Sequence, residues 1–197
     1  MKILIVGANG TIGKAVAAEL SQRHEIVTAG RSSGDFQVDI ADLESVRALF
    51  ARTGKLDAVA CAAGNVHFGP LESMTPEQFD LGLRDKLMGQ VNLVVAGRDA
   101  VAAGGSFTLI SGILANDPIR FGASASMVNG AIESFVRAAA IEVAQRVNAV
   151  SPTLLEESAE AYGPYFRGFE PVSARRVALA YSRSVEGAQT GQIYRVP

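Results

Sequence analysis

The stretch "KILIVGANGTIGKAVAAEL", residues 2–20, decides the fold. Its opening "KILIV" is an almost unbroken aliphatic run, the composition of a strand buried on both faces. Gly7, Gly10 and Gly13 follow at equal spacing, and the apolar residues after them recur with helical periodicity. Strand, glycine-rich turn and helix in that order open a βαβ unit. Gly7 permits the tight turn, Gly10 lets the backbone approach a pyrophosphate, and Gly13 lets helix pack on strand. The helix N-terminus attracts the phosphate charge. In that context the expected ligand is a dinucleotide held along Gly7, Asn9, Gly10, Thr11, Ile12 and Gly13.

Working outward, short β-branched runs alternate with helical segments. "HEIVTAG", "FQVDI", "LDAVACAAG", "GSFTLISG", "VNAVSP" and "GQIYRV" read as further strands. Between them lie "DLESVRALFART", with Asp42 as N-cap, and two successive helices in "TPEQFDLGLRDKLMGQVNLVVAGRDAVAAG", opened by Thr75 and Pro76. A long helix is expected over 123–146, and another in "SARRVALAYSRS". Parallel neighbours need crossovers, which helices supply, so the pattern specifies an α/β fold: a doubly wound parallel sheet of about seven strands with helices on both faces. One domain spanning 1–197 is expected, and the irregular stretch 153–172 reads as a lid or substrate loop.

Composition narrows the function classes. The 18 Lys and Arg and 20 Asp and Glu residues are interspersed, so no basic stripe exists for nucleic acid or an anionic membrane. The lone Cys61 and the two separated histidines offer neither a disulfide nor a metal set. With no leader-like or membrane-length apolar run, a cytoplasmic protein is expected, its partner a small-molecule substrate.

The end of the second strand selects the cofactor. An acidic residue there bonds a ribose hydroxyl, whereas an arginine pairs with a 2′-phosphate. The sequence is "TAGRSSGD", which puts Arg31 at that position with Ser32 beside it and favours NADP over NAD.

Taken together the chain resembles the short-chain dehydrogenase/reductase family along nearly its whole length. "GANGTIG" matches the Rossmann-type dinucleotide loop, and "VDIAD" the Asp39–Ile40 pair beside the adenine. "CAAG" supplies Ala62, Ala63 and Gly64 after the fourth strand, and "NAVSPT" supplies Pro152 and Thr153 beside the nicotinamide. The resemblance implies a tyrosine general acid, a lysine four residues later, a carbonyl-polarising serine and an anchoring asparagine. Those positions here hold Ala125, Asn129, Gly112 and Lys86. Asn129 is still expected to reach the cofactor ribose.

Reduction of a carbonyl needs a proton donor as well as hydride. Lys86, Ser111 and His67 are the candidates to replace the absent acid, and Tyr162 and Tyr165 of the 153–172 segment carry phenols. The expected activity is NADP(H)-dependent oxidoreduction of a small carbonyl or alcohol with a displaced or non-standard proton donor. A catalytically silent NADP-binding sensor or scaffold, or a non-redox enzyme reusing the pocket, stay as alternatives. The alanine-rich "FVRAAAIEVA" suits helix–helix contact, so a homodimer or homotetramer is expected.

Overall fold

β1, Lys2–Val6, sits near the middle of the sheet because its side chains are apolar on both faces. The computed structural model describes residues 1–197. In it β1 pairs on one side with β2, Glu25–Gly30, and on the other with β4, Leu56–Cys61. With β3, Phe36–Gln37, β5, Val101–Ile110, β6, Arg146–Pro152, and β7, Ile193–Val196, they form one parallel sheet ordered β3-β2-β1-β4-β5-β6-β7. Strand order reverses between β1 and β4, where a crevice opens at the carboxyl ends of the strands and ligands of such sheets bind.

Strand alternation divides the core into two layers. Leu4, Val6, Val59 and Cys61 face one layer, closed by α2, Leu43–Thr53, α4, Gly89–Gly97, and α5, Ala123–Ala139. Ile3, Ile5, Ala58 and Ala60 face the other, closed by α1, Thr11–Leu20, and α7, Ala174–Glu186. Fully buried side chains such as Leu20, Ile132 and Tyr181 anchor the layers, each aliphatic one contributing about 1.5–3 kcal/mol. No helix is long and apolar enough to cross a membrane.

Several local expectations hold. Asp42 caps α2 by accepting from Glu44 N–H at 2.9 Å, and Thr75 with Gln78 forms a capping box at α3, Pro76–Gly82. Residues 31–35 connect β2 to β3 without a helix. Other boundaries differ. The helix expected over 123–146 ends at Ala139, because β6 must begin at Arg146 to pair with Ser106, and the intervening residues turn the chain back. The two successive helices of 76–97 are joined by a π-helical segment, Leu83–Met88, which re-aims Asp85 and Lys86. The stretch 153–172 is a set of short helical turns, including α6, Ala159–Tyr162. Its ends are tied by a parallel bridge between Leu155 and Val172.

Candidate active site

The glycine loop has the geometry its sequence implies. Gly7 adopts φ +85°, and a Cβ there would lie 2.8 Å from the carbonyl oxygen of Ala62. At Gly13 a Cβ would lie 2.0 Å from the carbonyl oxygen of Gly7, so only glycine lets α1 pack on the loop. Gly10 differs: a Cβ there meets nothing closer than 3.5 Å, so its open side is the concavity a pyrophosphate would enter. Thr11 and Ile12 form the N-terminus of α1, and the Asn9 amide donates to Ser33 Oγ at 2.6 Å, tying the loop to the β2–β3 connection.

Beside this loop lies a pocket of about 130 Å³, lined by Val6, Gly7, Ile40, Ala63, Gly64 and Asn65. Arg31 closes one side and Asp85 the other. Arg31 Nη2 donates to Asp85 Oδ1 at 2.6 Å and, more loosely, to Asp39 Oδ1 at 3.4 Å. Asp39 is exposed outside the pocket wall, where it also accepts from Ala41 N–H. Ser32 is exposed beside Arg31. Asp35 turns away, accepting from the Thr28 N–H and hydroxyl, which hold its carboxyl below the usual range.

The second cavity, about 370 Å³, is bounded by β5, β6, α5 and the 153–172 segment. Lys86, Gly112, Ala125, Asn129, Pro152 and Thr153 all line it. Lys86 Nζ donates to Asn129 Oδ1 at 2.7 Å and to the Ser111 carbonyl oxygen at 3.2 Å. Because an ammonium only donates, the Asn129 atom facing it is oxygen, which turns the amide NH2 toward Gly112. A Cβ on Gly112 would lie 2.9 Å from that nitrogen, and the nitrogen has no protein acceptor. Two of the three Lys86 protons are used within the protein; the third is free for the cavity. Enclosure by protein atoms pushes the Lys86 pKa down to about 8.

Ser111 does not offer its hydroxyl to the cavity. Its Oγ donates to Glu133 Oε1 at 3.2 Å, and only its carbonyl oxygen meets Lys86. Glu133 is buried and is met at its other oxygen by Arg137. His67 lies outside both cavities, since neighbouring Val66 and Phe68 supply the wall. Tyr162 lines the cavity mouth against Phe68, whereas Tyr165 packs on Phe121 further out. Sequence reasoning passed over Asp85 and Glu133. Both are carboxylates that look solvated in sequence and become buried beside partners twenty or more residues away.

The residues present fit a dinucleotide. The open side of Gly10 leaves space for phosphates, and Thr153 Oγ1, buried at the inner end of the second cavity, has no hydrogen-bond partner. An unsatisfied buried hydroxyl calls for an external polar group. A sheet switch point with a glycine cradle on one side and an enclosed ammonium on the other defines a dinucleotide-binding α/β protein of the oxidoreductase type.

Comparison with known proteins narrows the class. Residues 5–191 match the family profile described as enoyl-(acyl carrier protein) reductase, and the chain belongs to the short-chain dehydrogenase/reductase family. It is 32% identical to versicolorin reductase 1 of Aspergillus parasiticus, over 76% of this chain and 67% of that protein. A trihydroxynaphthalene reductase of Pestalotiopsis fici is 29% identical over 76% of this chain and 62% of its own. Among solved structures, lin1944 of Listeria innocua superposes with a TM-score of 0.98 at 48% identity, covering all of both chains. A small-chain dehydrogenase in complex with NADPH superposes with a TM-score of 0.89 at 27% identity, covering all of this chain and 96% of the other.

Proposed function

We propose that this chain is an NADP(H)-dependent reductase of small, largely apolar carbonyl compounds in which Lys86 replaces the family's tyrosine as proton donor. The observation that carries the proposal is the direct Lys86–Asn129 contact of 2.7 Å. The family pattern places asparagine on the first of these helices and lysine on the second; here the two residue types are exchanged, so the cation remains in the cavity but on the π segment. No tyrosine in the sequence is followed four residues later by lysine.

When bound, the reduced nicotinamide supplies the hydride. The free Lys86 proton points at the cavity, where it stabilises negative charge on a carbonyl oxygen and then passes to it, leaving a neutral amine that water reprotonates. A donor with a pKa near 8 suits this transfer at physiological pH. Asn129 orients the ammonium through Oδ1 and leaves its NH2 for the nicotinamide ribose or the substrate oxygen. Thr153 Oγ1 supplies a partner for the carboxamide, and Arg31 for the 2′-phosphate. Phe68, Leu114, Tyr162 and Phe166 shape an apolar wall, and residues 153–172 form the lid. Relatives named for versicolorin and trihydroxynaphthalene make aromatic ring carbonyls the first class to screen.

The chain as a whole is read as one domain. It pairs with a second copy through α4 and α5 and the residues flanking them, where Val95 and Met127 on the helices and Met88 and Ile141 beside them are exposed apolar side chains. The test is NADPH oxidation followed at 340 nm with a panel of aryl and alkyl ketones. Turnover with at least one carbonyl, reduced about a hundredfold or more in Lys86→Met, is expected. Tight NADPH binding with no turnover across the panel would instead identify a silent cofactor-binding protein.

A further inference from the structure

We infer that Asp85 is a specificity-determining residue: it holds Arg31 across the adenosine pocket and competes with the cofactor's 2′-phosphate for that guanidinium. The inference rests on the reading of Arg31 as the phosphate-binding residue and adds its counterweight. Arg31 leaves the end of β2 and Asp85 sits on the π segment, so their 2.6 Å contact joins opposite walls of the pocket. The two partners differ in freedom. The Asp85 carboxylate is buried, and its second oxygen accepts both the Asn65 backbone N–H at 2.8 Å and the Asn65 amide at 2.6 Å. It is fixed. The Arg31 side chain is 61% exposed, and its Nε and Nη1 make no hydrogen bond. It can swing.

Charge sets the direction of the effect. Arg31 is met by two carboxylates, Asp85 and Asp39, so the group presented to a ligand carries a net formal charge of about −1. A 2′-phosphate dianion must displace or share the guanidinium against that charge. A 2′-hydroxyl instead finds a carboxylate oxygen able to accept its hydrogen bond. An arginine at this position therefore confers less discrimination against NAD(H) than an unpaired one, and Asp85 sets how much less. In the NADP(H)-bound protein the guanidinium leans on the phosphate, while Asp85 stays anchored by Asn65.

The experiment is equilibrium binding of NADPH and NADH, by fluorescence or calorimetry, to the wild-type protein, Asp85→Asn, Asp85→Ser and Arg31→Ala. The reported quantity is the ratio of the two dissociation constants within each variant, which cancels any general loosening of the pocket. Asp85→Asn and Asp85→Ser are expected to shift the ratio at least fivefold toward NADPH, and Arg31→Ala to shift it toward NADH. An unchanged ratio in both Asp85 variants, or a shift toward NADH, would overturn the role of Asp85 while leaving the cofactor assignment standing. A wild-type protein that binds neither nucleotide would remove the assignment itself and this inference with it.

Discussion

Two glycines of one loop separate structural from ligand-binding roles. At Gly13 a Cβ would intrude to 2.0 Å of backbone oxygen, an overlap that no side-chain motion relieves. Gly13→Ala is therefore expected to cost about 3 kcal/mol of stability, seen as a lower melting temperature and denaturation midpoint. Gly10 already has ordinary extended backbone, φ −73° and ψ 169°, and its open side touches almost nothing. Gly10→Ala should leave melting unchanged while weakening NADPH binding at least tenfold, about 1.4 kcal/mol, because the methyl occupies the phosphate concavity. Equal melting temperatures for the two variants, or full cofactor affinity in Gly10→Ala, would contradict this division. The contact between Lys86 and Asn129 belongs to the same scale: it holds one cation and one amide together at the cavity.

At the scale of elements, residues 153–172 rest on few anchors. Backbone bonds between Glu156 and Val172 and between Val172 and Leu154 close the base, and the Glu157 carboxylate accepts from Ala174 N–H. Between them the short turns expose Tyr162 and Tyr165. Amides of residues 159–167 are expected to exchange with deuterium within minutes in the free protein and to slow when NADPH and a carbonyl compound are present. Exchange as slow as in β4 without ligand would rule out a lid. The same scale shows what sequence can and cannot disclose. β1, α1 and β4 were legible because each buries a continuous apolar run or stripe, and the caps at Asp42 and Thr75 because capping is local chemistry. The π segment was not legible: "LRDKLM" has ordinary helical composition, and its widening answers to tertiary packing, with Gly64 against Lys86 and Gly89 against Ile40. For the same reason Arg31 could be assigned from its place after β2, but not its bond to Asp85, 54 residues away. The early end of α5 likewise follows from strand register rather than from any breaker in "AIEVAQ".

For the whole molecule, the two-layer core and the switch point place both cavities along one edge of the sheet, where they share Gly64. The exposed apolar side chains of Val95 and Met127 lie on α4 and α5 and line neither cavity. Sedimentation is expected to show a species of at least twice the 20.6 kDa chain mass. Ala138→Glu, on the exposed side of α5, should shift it to monomer without loss of NADPH binding; a wild-type monomer would contradict pairing. For the proposed reduction, the decisive property is the proton carried by Lys86. In reduction the ammonium must be charged, and enclosure has lowered its pKa to about 8. Pre-steady-state NADPH oxidation, measured from pH 6 to 10 with a reducible ketone, should therefore be fastest below about pH 8 and fall as pH rises through that value. Lys86→Met should give a slow rate without that inflection. A wild-type rate that is flat across this range, or a Lys86→Met protein with the wild-type profile, would contradict a proton donor at Lys86.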